Sequence, residues 1–320
     1  MAHIFVTREI PHDGIELLRK AGHEVVVSPK DGVLSFDELS AALKENPYEA
    51  VLTTLNDACT AELMETFPQI RIIANYAVGY DNIDIESAKK HNVMVTNTPD
   101  VLTDAVAEHT VALMFALAKR IPEADRFTRA GKYEGWGPML LLGSHVNGLT
   151  LGLVGAGRIG SRVALMAQCM GMHVVYFDIK QNADIEKVGA QFVESLEALL
   201  QQSDVVSLHV PLLDSTRHLI NKERLSVMKK TAFLINTARG PVVDESALVD
   251  ALKDGTIRAA ALDVFEHEPA LSKGLKELEN VIVTPHIASA TEQARSAMSV
   301  MAAQSIIDFF EGKKPQHVVA

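Results

Sequence analysis

The sequence predicts an α/β fold with two parallel-sheet domains and a cleft between them. The chain has 320 residues, more than one hydrophobic core usually fills. Short β-branched runs alternate with helical patterns over residues 4–95, and a second series with the same rhythm begins at residue 149. This alternation favours parallel sheets with helices on both faces.

The first series predicts five strands separated by helices. Helical periodicity appears at Gly14–Lys20, Phe36–Lys44 and Ala61–Thr66. The strands are predicted at Ile4–Thr7, Glu24–Val27, Ala50–Thr53, Arg71–Asn75 and Val93–Val95.

A long helical segment and a glycine-rich loop separate the two series. The segment Asp104–Arg129 is predicted to be helical, with an interruption or kink near Pro122. The loop Gly131–Gly148 follows and contains the single tryptophan, Trp136. The second series then predicts strands at Leu149–Val154, His173–Asp178, Val205–Leu208, Ala232–Asn236, Ala259–Asp263 and Val281–Thr284. A last helix, Ala290–Glu311, has no strand after it, so it can return to the first domain.

Composition argues against several classes of partner. The net charge of −11 is poorly suited to phosphate backbones, so no nucleic-acid partner is predicted. Cys59 and Cys169 lack metal-ligand neighbours, so no metal is expected. The chain opens without a signal-peptide pattern, and its most apolar stretch, Val111–Ala118, is too short for a membrane span. We therefore expect a cytoplasmic protein without a membrane partner.

A glycine-rich loop after the first strand of the second series predicts a dinucleotide site. Gly155 permits a tight turn, Gly157 lets a pyrophosphate approach the backbone, and Gly160 lets the helix pack closely on the strand. The helix that begins at Arg158 and Ile159 directs its positive end toward the phosphates. The second domain is therefore predicted to be a Rossmann-like dinucleotide-binding domain beside a flavodoxin-like first domain.

An acidic residue ends the next predicted strand. Asp178 lies close to the usual distance of about 20 residues from the glycine loop. A carboxylate there accepts hydrogen bonds from the adenosine ribose and repels a 2′-phosphate. The predicted cofactor is therefore NAD rather than NADP.

Three polar residues follow separate strands of the second series. Taken singly, Arg239 is equally a surface salt-bridge residue, Glu268 a solvated loop acid and His286 a structural histidine. Together they match one chemistry, the reduction of a ketone by hydride transfer. A histidine supplies the proton, a carboxylate orients that histidine, and an arginine holds a substrate carboxylate.

These residues and their surroundings resemble the D-isomer-specific 2-hydroxyacid dehydrogenases, especially the glyoxylate/hydroxypyruvate reductase branch. The resemblance extends over almost the whole chain. It rests on the segments Ala74–Asp84, Gly152–Gly160, Ile235–Gly240, Ala261–Pro269 and Thr284–Ser289.

The resemblance implies a role for each site residue in reducing a small 2-keto acid to a 2-hydroxy acid. Arg239 anchors the substrate, Glu268 partners His286, and His286 is the acid/base. Val78 and Gly79 offer backbone amides to the substrate carboxylate, and Leu55 lines the pocket. The remaining implied contacts are to the cofactor, from Thr103, Arg158, Ile159, Val210, Pro211, Thr237, Ala238, Asp263 and Ser289.

The resemblance also implies domain limits and an assembly. The cofactor domain is expected at residues 100–286 and the substrate domain at 1–99 with 287–320. A homodimer is expected, in which Ala105–Trp136 reaches across. Trp136 then either enters the partner's active site or anchors the interface.

Two other functions remain open at this point. A phosphite dehydrogenase resembles the same scaffold and uses the same arginine, glutamate and histidine positions. A corepressor-like protein that binds NAD without turnover shares the fold. Those binding proteins tend to carry extra tails, and the stretch after the last predicted helix is short, so we favour the reductase.

Overall fold

The computed structural model describes all residues, 1–320, and divides into two units. The N-terminal unit comprises Met1–Leu102 and Ala290–Ala320, and the central unit comprises Thr103–Ser289.

The N-terminal unit is built on five parallel strands in the spatial order β2-β1-β3-β4-β5. This order is the flavodoxin-like one that the sequence predicted. The strands contribute buried side chains such as Ile4, Val51 and Ile73 to the hydrophobic core. The elements are β1 His3–Val6, α1 His12–Lys20, β2 Glu24–Val27, α2 Phe36–Lys44, β3 Ala50–Thr54, α3 Ala61–Thr66, β4 Ile72–Tyr76, α4 Ile85–His91 and β5 Met94–Thr96.

The last helix of the chain, α12 Glu292–Phe310, belongs to the N-terminal unit, as the sequence predicted it could. It packs on α1 so closely that a side chain at Gly14 would collide with the backbone of Ser299. The tail beyond it covers the β5 edge of the sheet. Val95 donates its N–H to the carbonyl of Ala320 at 2.9 Å, and Val319 donates to Val95 at 2.8 Å. An edge strand covered in this way offers no unpaired backbone to other chains.

The central unit contains a seven-stranded parallel sheet in the order β12-β11-β10-β9-β6-β7-β8. Apolar clusters cover both faces, as a doubly wound sheet requires. The strands are β6 Thr150–Val154, β7 His173–Phe177, β8 Gln191–Phe192, β9 Val205–Leu208, β10 Phe233–Asn236, β11 Ala259–Leu262 and β12 Val281–Val283. The helices are α5 Thr103–Ala118, α6 Ile121–Arg129, α7 Arg158–Cys169, α8 Ala183–Lys187, α9 Leu196–Gln202, α10 Lys222–Val227 and α11 Glu245–Lys253, with a short 3-10 turn at Gly240–Val242.

The structure confirms the interruption predicted near Pro122 in the long helical segment. Two helices, α5 and α6, are separated at residues 119–120, just before Pro122. Arg120 adopts a left-handed conformation with φ of 56°. Pro122 occupies the first turn of α6, where a missing N–H costs nothing.

Helix α4 and the two-residue strand β8 were not predicted from the sequence. No helix of the structure combines the length and the hydropathy needed to cross a bilayer.

Candidate active site

The residues predicted for catalysis lie at one edge of the central sheet. Arg239 follows β10, Glu268 lies in the loop after β11, and His286 follows β12. These three strands are neighbours and run parallel, so their carboxyl ends share an edge. Open parallel sheets bind ligands at this edge.

His286 and Glu268 form the pair that the sequence predicted. The Nδ1 atom of His286 lies 3.0 Å from Oε2 of Glu268, and the two side chains are 22% and 25% exposed. The other carboxylate oxygen accepts the N–H of Phe265 at 3.0 Å. Since Glu268 engages Nδ1, the ring presents Nε2 for proton exchange.

Burial raises the pKa of Glu268, but other contacts outweigh it and the pKa lies below its usual value. The hydrogen bond and charge of His286, the N–H of Phe265 and the charge of Arg239 lower it. Glu268 is therefore ionised near neutral pH.

Arg239 is held near this pair by the packing of two loops. A side chain on the next residue, Gly240, would collide with the backbone of Phe265, so the Arg239 loop lies directly against the loop of Glu268. Nη1 of Arg239 donates to the carbonyl of Ala238 at 2.9 Å. The guanidinium charge lies near enough to Glu268 to lower the pKa of its carboxyl.

Asp263 holds the loop that carries His286. Its carboxylate is fully buried and accepts hydrogen bonds from the hydroxyl of Thr284 at 2.6 Å, from the N–H of Ile287 at 2.9 Å and from the N–H of Ala288 at 2.8 Å. His286 donates its own N–H to the Asp263 carbonyl at 2.9 Å. His286 has a φ of 54°, a left-handed conformation that is uncommon for a non-glycine residue and that these hydrogen bonds help to hold.

The neighbours of Asp263 also keep its carboxylate ionised. Burial raises its pKa, but the hydrogen bonds from His109, Thr284, Ile287 and Ala288 together bring the pKa below its usual value. His109, to which the sequence analysis assigned no catalytic role, lies with Nε2 3.4 Å from Asp263.

The glycine loop has the shape that a dinucleotide requires. Gly155 has a φ of 100°, and a side chain there would collide with His209. A side chain on Gly160 would collide with the carbonyl of Gly155. Gly157 faces open space, since a side chain there would meet no atom within 4 Å. The loop therefore leaves room for a pyrophosphate at the N-terminus of α7, and these residues fit NAD.

Asp178 directly follows β7 and also supports the glycine loop. Its Oδ2 accepts the N–H of Ala156 at 2.7 Å, and its Oδ1 accepts the N–H of Ile179 at 2.7 Å. Asn182, which the sequence analysis missed, donates to the carbonyl of Ala156 at 2.7 Å. The backbone N–H and the carbonyl of Ala156 are therefore both hydrogen-bonded to residues that follow β7.

The other predicted cofactor residues lie around the same edge. Thr237 is buried, and its hydroxyl is 3.0 Å from that of Thr110 on α5. Ala238 donates its N–H to the side chain of Asn236 at 3.0 Å. Thr103 begins α5, Arg158 and Ile159 begin α7, Val210 and Pro211 follow β9, and Ser289 ends the unit.

The predicted substrate residues of the N-terminal unit also follow strands. Leu55 lies after β3, and Val78 and Gly79 lie after β4; all three are half-buried. Trp136, in contrast, is 84% exposed in the loop after α6.

Comparison with known proteins identifies the class. The model for the NAD-binding domain of the D-isomer specific 2-hydroxyacid dehydrogenases matches residues 111–288. The glyoxylate reductase of Aeropyrum pernix is 46% identical, over 99% of this chain and 95% of its own length. The chain therefore belongs to the D-isomer specific 2-hydroxyacid dehydrogenase family.

Solved structures agree with this assignment. A protein of Thermus thermophilus matches with a TM-score of 0.93 and 41% identity, covering 99% of this chain and 100% of that one. The D-lactate dehydrogenase of Aquifex aeolicus, solved with NAD and lactic acid, matches with a TM-score of 0.85 and 33% identity, covering 97% and 96%.

These comparisons and the two sheets confirm four predictions: the family, the fold class, the dehydrogenase activity and NAD as cofactor. The chain is a D-2-hydroxyacid dehydrogenase, an oxidoreductase that acts on a keto acid and its hydroxy acid.

Proposed function

We propose that this enzyme uses NADH to reduce a small 2-keto acid, of the glyoxylate or hydroxypyruvate type, to the D-2-hydroxy acid. The observation that carries the proposal is the 3.0 Å contact between His286 and Glu268 at the sheet edge, with Arg239 beside it. The similarity to a glyoxylate reductase supports the choice of a small substrate.

The proposed mechanism assigns one task to each of the three side chains. When bound, NADH would supply the hydride for reduction of the substrate carbonyl. His286 donates the Nε2 proton to the carbonyl oxygen as negative charge develops there. Glu268 keeps the imidazole oriented through Nδ1 and stabilises its protonated form. Arg239 binds the substrate carboxylate through its planar guanidinium.

The other proposed contacts come from each unit separately. In the N-terminal unit, the amides of Val78 and Gly79 bind the substrate carboxylate and Leu55 lines its pocket. In the central unit, the glycine loop binds the pyrophosphate and Asp178 binds the ribose. The remaining proposed cofactor contacts are Thr103, Arg158, Ile159, Val210, Pro211, Thr237, Ala238, Asp263 and Ser289. We accordingly propose 100–286 as the cofactor domain and the rest of the chain as the substrate domain.

A substrate panel tests the proposal. The loss of NADH absorbance is followed with glyoxylate, hydroxypyruvate, pyruvate and longer 2-keto acids, with phosphite and NAD as a control. We expect rapid turnover of one or two of the smallest acids. Turnover of phosphite alone would support a phosphite dehydrogenase instead, and tight NADH binding without any turnover would support a binding protein.

The cofactor preference is tested at Asp178. We expect Asp178→Asn to lower the preference for NADH over NADPH by at least about tenfold, since a carboxylate beside a 2′-phosphate is strongly repulsive. Asparagine retains an oxygen for the N–H of Ala156 and gives up only the hydrogen bond from Ile179, which lies outside the glycine loop. Selectivity is measured as the ratio of kcat/KM values. An unchanged ratio would show that another residue excludes NADPH.

We also propose that the enzyme is a cytoplasmic homodimer. Helix α6 buries none of its residues within the chain. The adjoining loop exposes Tyr133 by 54%, Trp136 by 84% and Met139 by 76%. An apolar surface of this kind is typical of a protein interface.

A substitution of Trp136 tests this proposed interface. We expect the wild-type protein to sediment as a dimer, and Trp136→Ala to weaken association by about 2 kcal/mol, the contribution of a central aromatic anchor. Val33→Ala, at a site 43% exposed in the N-terminal unit, is the control and should not alter the mass. A monomeric wild-type protein would refute the dimer.

A further inference from the structure

The loop after β4 has three consecutive peptide carbonyls held by buried donors. The carbonyl of Ala77 accepts the N–H of Thr98 at 2.8 Å. The carbonyl of Val78 accepts Nδ2 of Asn97 at 2.8 Å, and that of Gly79 accepts Nδ2 of Asn75 at 2.9 Å. Two of these three donors are asparagine side chains, to which the sequence analysis assigned no role.

These contacts set the direction of three backbone N–H groups. A trans peptide is planar, so its N–H points opposite to its C=O. The N–H groups of Val78, Gly79 and Tyr80 therefore point away from the buried donors. None of the three donates to a group of the protein. Adjacent unused N–H groups are a common way to bind an anion.

The two asparagines are themselves fixed. Asn75 is fully buried, and its Oδ1 accepts the hydroxyl of Thr53 at 3.1 Å, which leaves Nδ2 facing Gly79. Asn97 is 9% exposed, and its backbone N–H donates to the carbonyl of His317 in the C-terminal tail at 3.1 Å. Neither side-chain amide can turn without losing a buried hydrogen bond.

The same network reaches the loop that carries Leu55. Asn82 contacts Asn75, with Nδ2 of Asn75 3.3 Å from Oδ1 of Asn82. Nδ2 of Asn82 donates to the carbonyls of Thr54 at 3.2 Å and Asp57 at 2.9 Å. One buried cluster thus supports both segments to which we assign substrate contacts.

We propose that Asn97 and Asn75 are positioning residues for the substrate carboxylate. Asn97 directs the N–H of Gly79, and Asn75 directs the N–H of Tyr80, which becomes a third donor beside those of Val78 and Gly79. This inference rests on the proposed function, in which these amides bind the carboxylate. Loss of either asparagine then weakens binding of the keto acid while hydride transfer in the bound complex continues.

The test separates substrate binding from turnover. Asn97→Leu removes the donor at similar volume, and Asn97→Ser, whose hydroxyl is too short to reach Val78, is a second variant. We expect KM for glyoxylate to rise on the order of tenfold, the effect of one lost hydrogen bond, with kcat changed by less than about threefold. The Kd for NADH should not change, since the cofactor loop lies in the other unit.

Asn46→Leu is the matched control, because Asn46 is exposed in the same unit and contacts only Tyr48. Its KM should equal that of the wild type. A wild-type KM in either Asn97 variant, with NADH binding retained, would overturn the inference while the proposed function stands. Absence of turnover of every 2-keto acid in the panel by the wild type would overturn both.

Discussion

His286→Gln is expected to lower kcat for keto acid reduction by about a hundredfold or more, because general acid catalysis contributes about that much. Glutamine can still approach Glu268, but its amide protons are far too weakly acidic to be transferred to the developing alkoxide. The Kd for NADH should remain unchanged, since the glycine loop does not depend on His286. Steady-state kinetics with glyoxylate and fluorescence titration with NADH measure the two quantities.

A matched control separates this effect from general damage. His173→Gln removes an exposed imidazole at the opposite end of the central sheet, where β7 begins. Its kcat should equal that of the wild type. If His286→Gln retained more than about a tenth of wild-type kcat, His286 would not be the acid that the mechanism requires.

Arg239→Gln is expected to lower kcat/KM by about a hundredfold to a thousandfold, the usual cost of removing a group that stabilises developing charge. The loss should appear in both kcat and KM, since the guanidinium binds the carboxylate and lies beside the acid–base pair. Its removal also eliminates one of the charges that lower the pKa of Glu268. Arg239→Lys keeps the positive charge but not the planar guanidinium. Its kcat/KM should lie between those of the wild type and Arg239→Gln.

Arg19→Gln serves as the control for Arg239→Gln. Arg19 is exposed on α1 of the N-terminal unit, so its loss changes the net charge equally without touching the site. A kcat/KM for Arg239→Gln within about threefold of that of the control would contradict the proposal that Arg239 binds the substrate carboxylate.

The sequence predicted the fold well because strands and glycine loops leave local patterns. Strand β9 and helices α2 and α3 have the predicted bounds, since buried β-branched runs and helical periodicity are strong signals. Helix α4 was missed because it buries only Ala88 and has no apolar stripe. Its caps were the available signal: Asp84 accepts the N–H of Ser87, and Asn92 adopts a left-handed conformation.

The supporting contacts of the site could not be predicted in the same way. The sequence places His286, Glu268 and Arg239 each after a predicted strand. Their proximity could be predicted because the carboxyl ends of parallel strands share an edge of the sheet. Asp263, which follows β11, holds the His286 loop through hydrogen bonds to residues that follow β12, and no local sequence pattern indicates these contacts. Asn75 and Asn97 are likewise single buried amides, whose role depends on carbonyls brought near them by folding.

The central claim is that His286 protonates the keto acid while NADH is bound, and a single-turnover experiment tests it most directly. Enzyme in excess is loaded with NADH and mixed with glyoxylate, and the loss of NADH absorbance is recorded for the wild type and for His286→Gln. We expect both proteins to bind NADH equally and the single-turnover rate of the variant to fall by about a hundredfold or more. Equal rates would contradict the assignment of His286 and the mechanism built on it.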